Sequence, residues 1–438
     1  MPALPGGGTR AFLVRPRRGA DRHHHRRGGR WRRAGRPRAA DAPGRRRAVP
    51  GQAVRPRYGG LVTVAAVNAL SRRWALAADG RAVVFAGPGV WPLLALIATG
   101  ADDTARAELE KALGTAATDA AAGTVVDLLG GCPAVRFAVG LWSRADLPLR
   151  KTWLDRLPPG VHGELTGQPA VDQPRLDAWA GEHTGGLIDR MPVQVDRRTL
   201  LVLASALAVR TRWVRPFTDT SIRPASGPWA GGRIAALDRT THDPGTVTVV
   251  DRLTRLRVEG TDGIDVHLFL GEPDRPAAAV LAAGLDTLST PGTDALSGGP
   301  GIEVSTVAST DARDRYVAVV PRFTVRAGHD LLALPEVCGL TTVADPVHSH
   351  LPGISSEPLA VSQARQDALA EFTTEGFRAA AVTSVGFMAA SVRLPSATVR
   401  QVRVTVDRPF GFAAVHRDSG LVLVAGWVAE ALTPRGEG

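Results

Sequence analysis

Residues 372–384 read FTTEGFRAAAVTS, and how this stretch is read decides the fold. A Glu375–Gly376 pair stands before three consecutive alanines, Ala379, Ala380 and Ala381. In strand geometry alternate side chains share a face. Phe377, Ala379, Ala381, Thr383, Val385 and Phe387 would then point one way, with Arg378, Ala380, Val382, Ser384 and Gly386 opposite. One face is mostly apolar and the other small or polar. Alanine is also the best helix former, so the segment taken alone favours a surface helical turn or a loose loop. Its ability to lie as loop or as strand is the feature on which the rest turns.

The neighbouring sequence argues for the strand-forming reading. The segment resembles the reactive-loop hinge of the serpins, roughly E-x-G-[TS]-x-A-A-A-x-T, and meets it at Gly376, Ala379, Ala380, Ala381 and Thr383. Downstream, DRPFGF (407–412) and HRDSGLVLVAGWV (416–428) look like that family's closing strands. Upstream, FAGPGVWPLLALIATGADDTARAELEKALG (85–114) is similar to its F-S-P-x-S-I helix and the segment that follows. LDAWAGEHTGGLIDR (176–190) is similar to its [IL]-N-x-W helix and turn, and LLVLASALAVRTRWVRPF (200–217) resembles its central strand, with Trp213 at the tryptophan position near the sheet top. VAVVPRFTV (317–325) and PGISSEPLAVS (352–362) complete the series. The ordered matches run from about residue 61 to 431, and only residues 218–300 align poorly.

The resemblance implies an α+β fold: one large domain at residues 59–438 with a mixed central sheet, additional antiparallel sheets, about eight or nine helices and an exposed reactive loop over about residues 374–398. It also implies a suicide inhibitor and not an enzyme. A serine protease attacks the bait bond, the cut loop inserts into the central sheet, and the acylated protease is carried with it. The hinge is then Glu375, Gly376, Phe377, Ala379, Ala380, Ala381 and Thr383. An inserted strand of about 15 residues at roughly 3.3 Å each spans about 50 Å, which by family spacing from Gly376 places the bait bond at Ala390–Ser391. The small Ala390 suits elastase-like or subtilisin-like proteases. A bond after Arg393 is the alternative and would reverse that preference.

Several positions depart from the pattern. Phe377 stands where inhibitory members usually carry Thr or Ser, and a bulky ring entering the sheet first is expected to clash or slow insertion. Thr374 replaces an acid. Gln366, Ser205, Gly87 and Val90 stand where the family commonly has His, Asn and two Ser, so a rewired or missing hydrogen-bond cluster is expected there. The alternative function is a non-inhibitory binding or scaffold protein whose loop is cut as a substrate.

Composition agrees without deciding. A chain of 438 residues, 44% hydrophobic, suits two or three domains or one large one with an ample core. The formal charge of +11 is misleading: residues 1–58 hold 17 Arg and no Lys against Asp21 and Asp41, a net +15, which leaves −4 on residues 59–438. The folded part therefore offers no global basic field for nucleic acid. Residues 1–58 read as an Arg-rich disordered tail or an over-long gene start. Nucleic-acid contact through those arginines ranks behind both. The His23–His25 run lacks the convergence a metal needs. The one apolar run near the start, AFLV (11–14), is shorter than a secretory core, which gives the cytoplasm as the expected location, with secretion the alternative if the gene start is over-long. No stretch of about 20 apolar residues calls for a membrane.

No G-x-S-x-G elbow, G-x-x-x-x-G-K loop or G-x-G-x-x-G after a strand appears. Cys132 and Cys338 read as buried free thiols. His348 and His350 read as solvent-facing and not metal-bound. No metal or cofactor is expected, and a monomer is.

Periodicity places a helix over 61–78 closed near Gly80, and another over 103–113 with Leu109, Ala112 and Leu113 on one face, Gly114 beyond its end and acids near its start. Leu176, Trp179, Ala180 and His183 recur at helical spacing after Asp172 and Pro174, which suit a helix entry. Residues 136–142 and 200–209 are strand-like, the latter buried on both faces. From residue 399 onward, short strands suggest an antiparallel C-terminal layer.

Overall fold

Helix α1 occupies Tyr58–Leu76, as the apolar spacing of residues 61–78 predicts, and turns its buried residues Val67, Leu70 and Trp74 toward the core. The computed structural model describes residues 58–186, 190–191, 193–378 and 397–433. Helix α2, Gly87–Ala98, is buried along its whole length. Helix α3, Asp103–Leu113, begins at the N-cap Asp102, whose carboxylate accepts the Ala105 N–H at 2.9 Å, and ends at Gly114 in the left-handed region (φ 72°). Cap, length and buried face agree with the expectation from sequence.

The helix carrying Leu176 and Trp179 runs over Pro169–Thr184 and starts before the expected entry. Pro169 takes the first-turn position, where a missing N–H costs nothing, and Pro174 lies inside the helix. Asp172 accepts the backbone N–H groups of Thr166 and Gly167, fastening the preceding loop. Trp179 packs edge-on against Trp142 at 4.7 Å between ring centres, the anchoring role expected of it.

The central sheet is mixed and seven-stranded: β1 (Val135–Arg144), β2 (His162–Leu165), β3 (Leu201–Val209), β4 (Thr211–Arg212), β5 (Phe323–Asp330), β6 (Gln363–Phe372) and β7 (Gly376–Arg378). The order is β2-β1-β3-β6-β7-β4, with β5 along the far edge of β6. Every residue of β3 is buried, Ser205 included, consistent with its nearly unbroken apolar run. β1 and β3 pair antiparallel from Val135↔Val209 to Ser143↔Leu201, whereas β3 and β6 pair parallel.

A second seven-stranded sheet is antiparallel throughout and includes Phe410–His416 and Leu421–Val428; a five-stranded sheet includes Ala397–Thr405. The strands after residue 399 are thus not one antiparallel layer. Ala397–Thr405 joins the five-stranded sheet and runs parallel to Arg315–Pro321, while the last two strands form a hairpin in the other sheet. The intervening Asp407-Arg408-Pro409 breaks the ladder, since proline cannot donate to it. The core between the central and second sheets is aromatic: Phe323 lies 5.5 Å from Phe410 and 5.1 Å from Phe412. Cys132 and Cys338 are buried and free, and burial pushes the Cys338 thiol up to about 12.

Candidate functional site

The central sheet is closed below and parted above. The parallel ladder between β3 and β6 runs from Gln363↔Val202 to Asp367↔Ala206 and goes no further. At the upper end of β6 the partner is β7, through Glu371↔Arg378 and Phe372↔Phe377. On its other edge β7 pairs with β4, through Gly376↔Arg212 and Phe377↔Thr211. Two residues of the expected loop hinge, Gly376 and Phe377, thus lie with Arg378 as a strand between β6 and β4, above the level where β6 adjoins β3 directly.

A tight turn delivers β7. After β6 the chain reverses at residues 373–376, where the Thr373 N–H donates to the Gly376 carbonyl at 3.0 Å and the Thr373 hydroxyl bonds the same oxygen at 3.0 Å. Gly376 is required by close approach: a Cβ there would lie 2.3 Å from the Thr211 carbonyl oxygen and 3.1 Å from Arg212 Cα. The turn is clamped from the β4 side. Trp213 donates its indole N–H to the Thr373 carbonyl at 2.8 Å and its backbone N–H to the Glu375 carbonyl at 2.8 Å. The Phe217 N–H reaches the Thr374 carbonyl at 2.8 Å. A buried polar group costs free energy unless bonded, and here the carbonyls of three successive residues are satisfied by the Trp213–Phe217 segment.

Aromatic packing supports the same spot. Trp213, 3% exposed, stands 4.7 Å from Phe372, and Phe217 lies 5.5 Å from Phe372. The guanidinium of buried Arg239 lies over the Phe217 ring at 4.6 Å and donates to the Arg215 carbonyl at 3.1 Å. Burial, then the like charge of Arg215, brings Arg239 down to about 10, so it stays cationic at neutral pH. Phe377 is 1% exposed and its ring sits 6.1 Å from Phe412 in the second sheet. The ring expected to obstruct entry is already inside, among other rings.

Lower down, Gln366 spans from the sheet to α2. Its Oε1 accepts the Ala86 N–H at 2.8 Å, and its Nε2 donates to the Ala86 carbonyl at 2.9 Å and to Ser205 Oγ at 3.2 Å. Gln366 and Ser205 face each other across the β3–β6 seam. Gly89 of α2 makes room, since a Cβ there would meet Ser205 Oγ at 3.0 Å and Gln366 Nε2 at 3.1 Å. The cluster is therefore rewired and present: an amide bonds a helix N-cap backbone directly. Gly87 takes no side-chain part in it, because a Cβ there would strike Ser71 Oγ at 2.2 Å.

Of the residues singled out from sequence, Trp213, Glu375, Gly376 and Phe377 come together at the sheet top. Ala379, Ala380, Ala381, Thr383, the Ala390–Ser391 bond and the alternative Arg393 lie outside the described residues. Arg239 and its seat on Phe217 went unrecognised, because Arg239 falls in the 218–300 stretch that aligns poorly and nothing in its strand marks a buried cation. Among the described residues one group has metal-ligand character, Asp345, His348 and His350, and it belongs to a separate loop before β6. No helix among the described residues is long and apolar enough to cross a membrane.

Comparison with known proteins agrees with the geometry. The family model described as Serpin (serine protease inhibitor) matches residues 66–226 and 303–431. The gap between these segments coincides with most of the poorly aligned stretch. Among curated proteins, the rice protein named Putative serpin-Z6C is 25% identical over 390 residues, covering 80% of this chain and 90% of its own length. The rice protein named Putative serpin-Z8 is 27% identical, covering 85% of this chain and 95% of its own length. Over a shorter stretch of 111 residues, 25% of this chain and 21% of the relative, rat Heparin cofactor 2 is 31% identical.

Proposed function

Because the chain belongs to the serpin family, we propose that it inhibits serine proteases by letting its cut loop enter the central sheet. The protease's serine oxygen attacks the carbonyl carbon of Ala390, the bond to Ser391 nitrogen breaks, and the departing amine takes the proton released by the serine. An acyl-enzyme remains. If water reaches that ester first, the loop has been merely a substrate. If residues 376–390 first zip between β6 and β3, the attached protease is displaced and its active site deformed.

The observation that supports this reading is β7. The strand an inserting arm would become is already begun, antiparallel to β6 and bonded to β4, above a seam that still closes β3 directly onto β6. Insertion would then proceed by parting the seam from above, with hydrogen bonds to both neighbours replacing one interstrand ladder with two. Small Ala390 favours elastase-like or subtilisin-like targets. The inhibitor acts as a monomer.

The full chain is mixed with an elastase-type, a subtilisin-type and a trypsin-type protease and run on a denaturing gel. A covalent complex with either of the first two is expected, and the mass of the released C-terminal fragment reads the cleaved bond. A complex with the trypsin-type enzyme alone, released after Arg393, would move the bait bond. If every protease only clips the loop, inhibition is refuted and the scaffold reading takes its place.

A further inference from the structure

The loop between the single turn Thr342–Ala344 and β6 brings together Asp345, His348 and His350, each offering one ligand atom within 4.8 Å of the other two. His348 Nδ1 lies 2.8 Å from Asp345 Oδ2. His350 Nδ1 lies 2.7 Å from Asp102 Oδ2, the carboxylate that caps α3. The backbone is held as well: the Asp102 N–H donates to the His350 carbonyl at 2.9 Å, the Gly353 N–H to the Gly100 carbonyl at 2.9 Å, and the Val347 N–H to Asp345 Oδ1 at 2.8 Å. His350 is thus fixed through both ring and main chain, while His348, 71% exposed, keeps its torsional freedom.

We infer that Asp345, His348 and His350 form a binding site for a divalent transition-metal ion of the zinc class, with Asp102 as the positioning residue for His350. Two imidazoles and one carboxylate are a donor set that zinc accepts, with water completing a tetrahedron. A metal-binding histidine characteristically gives its second ring N–H to a carboxylate, which fixes the tautomer and turns the free nitrogen outward. The Asp102–His350 bond supplies that arrangement and makes Nε2 the nitrogen available to an ion. At metal–ligand distances of about 2.0–2.1 Å, tetrahedral ligand atoms stand about 3.3 Å apart. Asp345 Oδ2 and His348 Nδ1, 2.8 Å apart, would open by about 0.5 Å to that spacing, and the approach of this pair to His350 starts from separations of at most 4.8 Å. A bound ion would tie the segment leading into β6 to the start of α3.

The test titrates zinc chloride into the full chain by calorimetry, with magnesium chloride as the comparison ion. The His23–His25 run is replaced in all samples by His23→Ser, His24→Ser and His25→Ser, so that it does not compete. One equivalent of zinc and no magnesium are expected to bind, with a rise in melting temperature. His348→Ala and His350→Ala should each weaken binding at least tenfold. Asp102→Asn retains a capping side chain and should weaken binding between about tenfold and a hundredfold at unchanged stoichiometry. Absence of zinc uptake by the triple-serine chain, or uptake indifferent to His348→Ala and His350→Ala, would overturn the assignment.

Discussion

Replacing Gln366 by methionine would test whether the rewired cluster under the sheet holds the uncut molecule together. Methionine keeps the length and most of the volume of glutamine, so packing changes little. What disappears is hydrogen bonding: the Ala86 N–H and carbonyl lose their amide partner, and Ser205 Oγ loses a donor. Ser205 can rotate its hydroxyl, but Ala86 is buried and cannot turn to water. The Ala86 carbonyl keeps the Gly89 N–H at 3.1 Å, so the Ala86 N–H alone is left unsatisfied, and a buried group so left costs about 1–3 kcal/mol, roughly 2 kcal/mol at the middle of that range. Unfolding entropy near 2.1 cal/mol/K per residue over about 380 residues gives about 0.8 kcal/mol per degree, and the melting temperature should fall by about 2.5 °C. Scanning calorimetry of the uncut chain and its Gln366→Met variant measures this directly. A shift smaller than about 1 °C would mean that the Ala86–Gln366–Ser205 bonds contribute no net stability and that the seam is held by other means.

Clipping the loop should raise thermal stability sharply. About a dozen newly laddered residues at about 1 kcal/mol each would raise the melting temperature by more than 10 °C, and a clipped chain that melts with the intact one would refute insertion. Gly376→Ala forces a Cβ to 2.3 Å from the Thr211 carbonyl, so it should expel β7 from the sheet top, read as faster amide exchange at Phe377 and stronger protease sensitivity of the loop; unchanged exchange would refute the close approach. His267 gives a pH dependence. Its Nδ1 is buried without a partner, and burial, then Arg255 and, less strongly, Arg257, against the opposing pull of Asp265, hold the imidazole down at about 4 from 6.5. A depressed folded-state value means the stabilisation is complete above pH 6.5 and is lost as pH falls to about 4, a change of roughly 3 kcal/mol. His267→Gln should flatten the acid limb of the stability curve between those limits, and an identical limb in the variant would refute it.

What was legible in the sequence was whatever a local rule could see. Asp102, the spacing of Leu109, Ala112 and Leu113, and Gly114 mark α3 because capping, face and left-handed exit are set within a dozen residues. The nearly unbroken apolar run of β3, interrupted at Ser205, announced burial on both faces. The start of the Pro169–Thr184 helix was misjudged because two prolines compete for its entry, and only the Asp172 bonds to Thr166 and Gly167 show that the first one wins. The separation of Ala397–Thr405 from the last two strands depends on pairing with Arg315–Pro321, some eighty residues away, which no local pattern carries. At the site, Trp213 and Gly376 were visible through their resemblance, yet the reason for Gly376 lies in the backbone of β4. Gln366 was visible as a departure; that its amide would bond the Ala86 backbone depends on α2 presenting Gly89 where a side chain would otherwise stand.

Phe377 changes meaning once its surroundings are known. As a bulky first residue it should impede entry into a packed sheet, but its cross-strand partner is Phe372, and Phe412 lies beneath it. Burying a phenylalanine ring is worth about 2–3 kcal/mol, more than the net gain from any single ladder hydrogen bond, so the ring stabilises the parted state at the sheet top. In strand geometry Ala379, Ala381 and Thr383 would share its face. In the proposed insertion these small residues would pass down toward the level where α2 lies so close that Gly89 comes against Ser205 and Gln366. The order of sizes follows the space available: one large ring where aromatic side chains surround a seat, then methyl-sized groups where helix and sheet nearly touch. On that reasoning Gly376 and Phe377 are already seated, and in the proposed mechanism the step that would limit capture is the parting of the Gln366–Ser205 seam below them.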